Sequence, residues 1–142
     1  MPKGSCLCGQ IQYEYTGEPT MTALCHCHAC QKWCGATSSF NLLLPRTQFK
    51  LLQGTPKTFE MPGDSGKINK RSFCGTCGSS LFGELELMPE FVGIKAGSNW
   101  YNRSLDDGAA DYGKVATEFY TENRLSFCKA IEGAKQEPKF GN

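Results

Sequence analysis

Between residues 11 and 16 the apolar side chains of Ile11, Tyr13 and Tyr15 alternate with Gln12, Glu14 and Thr16. That period of two predicts a strand with one buried face, ended by Gly17-Glu18-Pro19. Further β-like runs follow at Thr37–Leu44, Phe49–Leu52, Lys57–Met61, Lys67–Phe73, Ser80–Leu87 and Phe91–Ala96. They are separated by Pro45, Gly54, Pro62-Gly63, Gly75, Pro89 and Gly97. Short strands punctuated by Gly and Pro predict a mainly β chain built of antiparallel sheets. A helical pattern is confined to about His28–Trp33, with Gly35 placed to end it in the left-handed conformation. That helix begins inside a cysteine cluster. From Asn99 to Gly113 the chain is polar and reads as a long loop. Ala116–Tyr120 reads as a returning strand, and the tail from Gly133 to Asn142 as loosely ordered. The expected organisation is one domain over residues 1–132 followed by that tail.

Composition narrows the function classes. A length of 142 residues suffices for one core without covalent staples. The formal charge of +1 supplies no field to hold nucleic acid or an acidic membrane surface. No apolar run approaches the ~18 residues of a membrane span, and Met1–Cys6 has no signal-like segment. The expectation is a soluble, cytoplasmic protein that binds neither nucleic acid nor membrane. Nine cysteines, an odd number, fit reduced thiols better than a complete disulfide framework.

Those cysteines fall into ordered groups: Cys6-Leu7-Cys8-Gly9, Cys25-His26-Cys27-His28-Ala29-Cys30, Cys34, and Cys74-Gly75-Thr76-Cys77-Gly78. Zinc takes four soft ligands in a tetrahedron, and thiolates paired on tight turns supply them two at a time. Gly9 and Gly78 follow the second cysteine of their pairs, where a residue without Cβ lets backbone N–H groups turn toward sulfur. Cys6, Cys8, Cys74 and Cys77 therefore read as one structural zinc site, a device that contributes ~10–16 kcal/mol to folding.

Cys25, Cys27 and Cys30 form a second candidate zinc site, one ligand short of closure. Three protein ligands and an exchangeable position are the form taken by catalytic zinc, which can hold a thiol as thiolate or polarise a carbonyl. Two other readings stay open. Cys34, four residues after Cys30, shares its helix face and could close the tetrahedron, as could His26 or His28. The three thiols could also act without metal. An extended backbone would turn His26 and His28 away from Cys25 and Cys27.

Other residues carry weaker signals. Lys67, Lys70 and Arg71 could bind the carboxylates of a ligand, since Arg and Lys suit anionic groups, or could form a solvated strand face. Trp100 and Tyr101 could line a pocket, and Asp106-Asp107 before Gly108 has the form of a turn rather than an acid–base pair. Cys128, after Leu125–Phe127, reads as a buried small side chain.

Taken in order, three segments resemble one family: Gly4-Ser5-Cys6-Leu7-Cys8-Gly9-Gln10-Ile11-Gln12-Tyr13-Glu14, then Cys25-His26-Cys27-His28-Ala29-Cys30-Gln31-Lys32, then Arg71-Ser72-Phe73-Cys74-Gly75-Thr76-Cys77-Gly78-Ser79. The resemblance spans residues 4 to 97 and is to the glutathione-dependent formaldehyde-activating enzymes, a family that includes centromere protein V-like domains. It implies a zinc-stapled β-tent fold, shared with a Rab guanine-nucleotide-exchange-like protein. It implies structural zinc on Cys6, Cys8, Cys74 and Cys77, and a second, catalytic zinc on Cys25, Cys27 and Cys30. The implied activity is carbon–sulfur lyase chemistry on a glutathione adduct of an aldehyde or related small electrophile. The competing expectation is a non-catalytic zinc scaffold that binds a protein partner.

Overall fold

The computed structural model describes residues 1–99 and 115–140; the expectations for Trp100, Tyr101, Asp106 and Asp107 lie outside them. The chain is mainly β. Eleven described strands run in order: β1 (Lys3–Ser5), β2 (Gln12–Tyr15), β3 (Met21–Cys25), β4 (Ser39–Pro45), β5 (Phe49–Gln53), β6 (Lys57–Pro62), β7 (Ile68–Phe73), β8 (Ser80–Leu85), β9 (Phe91–Lys95), β10 (Thr117–Phe119) and β11 (Lys135–Glu137). The helix α1 (His28–Cys34) follows β3. One sheet has the order β1-β2-β5 and the other β11-β10-β3-β4-β9-β8-β7-β6. Pairing is antiparallel except where β10 joins β3 and β11 in parallel.

Alternation decides what each strand buries. Tyr13 and Tyr15 of β2 are buried together with Leu42 and Leu44 of β4, Phe82 of β8, and Val92 and Ile94 of β9. The small sheet thus packs on one face of the large one. The opposite face carries the intervening residues, Asn41 and Leu43 of β4 and Gly93 and Lys95 of β9, and these line a cavity. A run such as Asn41-Leu42-Leu43-Leu44 is therefore divided by the pleat between core and cavity.

α1 ends as its sequence predicts. Gly35 takes φ 59°, and its N–H bonds to the carbonyl of Gln31. Three strands escape the sequence pattern. β1 and β11 have three residues each, and β3 (Met-Thr-Ala-Leu-Cys) has little β-branched character. Lys135–Glu137 lies in the tail expected to be loosely ordered. It instead pairs with Thr117–Phe119, and Gln136 reaches the buried Glu118.

Candidate metal centres and the adjoining cavity

The first cysteine group joins two tight turns distant in sequence. The N–H of Cys6 bonds to the carbonyl of Ile11, and that of Cys74 to the carbonyl of Ser79. Both loops thus close over the same span. Gly9 at φ 77° and Gly78 at φ 75° make the reversals. Their N–H groups donate to the carbonyls of Cys6 and Cys74, while other N–H groups, among them those of Ile11, Thr76 and Cys77, are aimed at sulfur. Two cross-links hold the turns together: Leu7 N–H to Ser79 Oγ at 2.9 Å and Thr76 Oγ1 to Gln10 Oε1 at 2.8 Å.

All four Sγ atoms of Cys6, Cys8, Cys74 and Cys77 lie within 4.8 Å of one another. Cys6 and Cys8 are 3.5 Å apart and Cys8 and Cys74 3.7 Å. A zinc–sulfur bond of ~2.3 Å gives tetrahedral sulfur–sulfur edges of about 3.8 Å, so the spacing and the donor set fit that ion. Hydrogen bonding favours the thiolate at Cys77 and Cys74. The Ser79 hydroxyl and N–H bring Cys77 down to about 5, and the N–H groups of Cys77 and Thr76 lower Cys74. The Gln10 N–H acts in the same direction on Cys8, but desolvation and three neighbouring sulfurs push it up to about 12. Four crowded thiols resist full ionisation unless a cation sits among them.

The second group is local. Cys25 ends β3, Cys27 is the N-cap of α1, and Cys30 lies in its first turn. The N–H of Cys30 donates to Cys27 Sγ at 3.3 Å, so the capping bond itself points that sulfur toward the helix start. The three Sγ atoms lie within 4.8 Å of one another, a set that can hold a metal ion. Cys30 is the preferred thiolate, because Cys25 and Cys27 bond to it and Lys95 and Ser39 assist; Cys25 is correspondingly raised. Among the described residues neither Cys34 nor a histidine joins this set. Burial pushes the Cys34 thiol up, against the opposing charge of Lys95.

His26 has a different employment. It is buried between Cys25 and Cys27, and its Nε2 meets Glu118 Oε1 at 2.9 Å. Glu118, 1% exposed, also accepts from Ile131 N–H and Gln136 and pairs with Arg124 at 3.2 Å. Desolvation opposes its charge, but these partners prevail and hold the carboxyl down at about 2. The parallel strand β10 therefore anchors the segment that carries the second group. Nothing in the local sequence links His26 to a carboxylate 92 residues away.

A cavity of about 510 Å³ opens beside Cys25, Cys27 and Cys30. Its floor follows one row of the large sheet, in which Arg71 pairs with Gly83, Gly83 with Gly93, and Gly93 with Leu43. Two adjacent glycines leave a depression, and the Trp33 ring lies over it, 3.8 Å from where a Gly83 Cβ would stand. Tyr120, which also lines the cavity, is held at φ 55° and donates from Oη to Asp64 Oδ2 at 2.6 Å. Burial and that carboxylate raise the phenol above its ordinary range. Of the basic residues singled out from sequence, Lys70 and Arg71 line the cavity and Lys67 does not. The sequence does not single out Trp33, Lys95, Tyr120 or Asp64 for the site, since each is brought in by a different element. Cys128 is partly exposed rather than buried, next to Phe127 at 75% exposure.

Fold and sites together define a mainly β protein with two thiol clusters able to bind metal. Residues 1–123 match the model of the glutathione-dependent formaldehyde-activating enzymes, and the chain belongs to that family. Among solved structures it is similar to a Rhodobacter sphaeroides protein, with a TM-score of 0.59 and 20% identity over 80% of this chain and 96% of the other. At that identity the likeness concerns the fold. A comparison with curated proteins finds no match. No helix among the described residues is long and apolar enough to cross a membrane.

Proposed function

We propose that this chain is a zinc-dependent carbon–sulfur lyase-type enzyme acting on a thiol adduct, such as a glutathione adduct, of an aldehyde or related small electrophile. The observation that carries this reading is that three of the clustered sulfurs border the cavity with no fourth protein ligand among the described residues. In this reading Cys6, Cys8, Cys74 and Cys77 hold structural zinc, while Cys25, Cys27 and Cys30 hold a second ion with a position left for substrate. Zinc there would supply thiolate stabilisation and Lewis acidity. In the forward direction the substrate sulfur bonds to the aldehyde carbon, the C=O π pair moves to oxygen, and the thiol proton ends on that oxygen. The reverse step breaks the carbon–sulfur bond. The chain's own part is to seat the reactants: Trp33 and Phe91 exclude water, and Lys95 supports the Cys30 charge.

The test is Cys27→Ser, with metal content and turnover of S-hydroxymethylglutathione measured together. The expected result is loss of one metal equivalent and a fall in turnover of at least about a hundredfold, since even outer-shell changes at metal sites cost 10–100-fold. Turnover that persists after that equivalent is lost refutes the assignment. The cavity favours an enzyme over the scaffold reading, because a purely structural cluster has no need of about 510 Å³ of space beside it.

A further inference from the structure

The cavity contains two cations that the described residues leave without a counter-charge. Lys70 lies 3.8 Å from Glu84 and Lys139 4.0 Å from Glu122. Arg71 and Lys95 pair with no carboxylate among the described residues. Lys95 still has company, since it donates to Asn41 Oδ1 and its field reaches Cys30. Arg71 has less. It is only 9% exposed, and its Nη1 is buried with no hydrogen-bond partner. A guanidinium withdrawn from water and left unpaired is unfavourable unless something supplies the missing charge.

Trp33 places the two cations relative to the sulfur cluster. Its ring lies 4.6 Å from Lys95 Nζ and 5.6 Å from Arg71 Cζ, so both cations flank one aromatic face system. Trp33 follows Cys30 by three residues on α1, a spacing that puts neighbours on one helix side. The cations, the Trp33 ring and the thiols all line one cavity.

We propose that Arg71, with Lys95 and the Trp33 ring beside it, forms a subsite for a carboxylate of the thiol substrate. This rests on the lyase reading for the identity of the substrate, and it adds the feature by which that substrate is selected. The planar guanidinium fork matches a carboxylate through two parallel N–H···O bonds, which an ammonium cannot reproduce. The subsite selects acid-bearing thiols over neutral ones of similar size.

The test is calorimetric binding to the metal-loaded full chain, using S-methylglutathione and its diethyl ester. Neither can present a free thiol to the second cluster, so binding is read apart from chemistry. The unaltered protein is expected to bind the acid at least about tenfold more tightly than the diester. Arg71→Gln should lose about tenfold for the acid and nothing for the diester, with metal content unchanged. Arg71→Lys should give a smaller loss, again confined to the acid. Equal affinity for acid and diester in the unaltered protein overturns the subsite. So does equal weakening of both ligands by Arg71→Gln, or metal loss with affinity for the acid intact. Should Arg71→Gln fail to fold by circular dichroism, Arg71→Lys decides: no acid-specific loss overturns the proposal. An acid preference without lyase turnover would leave the subsite standing and remove the lyase reading. Turnover indifferent to Arg71 would do the reverse.

Discussion

The two thiol clusters are built from the same chemistry and differ in what surrounds it. Cys6, Cys8, Cys74 and Cys77 come from loops 66 residues or more apart, and hydrogen bonds between those loops lock them together. Cys25, Cys27 and Cys30 come from six consecutive residues at the start of a seven-residue helix and border open space. A site whose ligands are distant in the chain constrains the unfolded state when it forms, whereas a site made within one turn constrains little. The first cluster is suited to holding the fold. The second, in the lyase proposal, would exchange a ligand without unfolding the molecule.

The largest expected effect separates the two clusters directly. Cys74→Ser should abolish cooperative thermal unfolding and release metal, while Cys27→Ser should keep a native circular dichroism spectrum and a melting transition. Equal loss of structure in both variants would erase the distinction.

Next comes the support behind the second cluster. Glu118→Gln leaves His26 and Arg124 without their buried carboxylate, a loss of about 3–5 kcal/mol by the usual cost of breaking a buried ion pair. Its pH dependence has a definite sign. The folded carboxyl is held at about 2 against an ordinary 4.5, so its stabilisation is complete above about 4.5. It is lost as pH falls toward about 2. Acid titration of both proteins by circular dichroism should show the variant lacking this component. An identical acid limb would mean that Glu118 does not carry it.

The smallest effects test the turns. Gly78→Ala and Gly35→Ala each place a Cβ at positive φ, costing about 1–2 kcal/mol. Both positions have open space around the added Cβ, so strain rather than collision sets the cost. Gly78→Ala should also weaken metal retention in a chelator competition, and Gly35→Ala should not, because Gly35 lies beyond the last ligand of its cluster. A reversed pattern would place the second cluster, not the first, in control of stability.

What the chain declares about itself is local. Alternation marked β2, β-like runs between Gly and Pro marked most other strands, Gly35 marked the end of α1, and the spacing of cysteines around Gly9 and Gly78 marked two matching half-sites. Each signal needs only a few adjacent residues and the period of a backbone conformation. β3 was illegible because Met21-Thr22-Ala23-Leu24-Cys25 is strand by position, held between β4 and β10 rather than by propensity. Whether Cys34 closes the second cluster could not be read from helical spacing: four residues place it on the right face, yet its sulfur does not join the other three. The partnership of His26 with Glu118, the glycine floor under Trp33, and the unpaired Arg71 arise from strand register and parallel pairing across the large sheet. Sequence by itself determined where the sulfurs stand along the chain. Tertiary structure decided which cluster joins distant loops and which borders the cavity, because both depend on elements that meet only when the sheets pack.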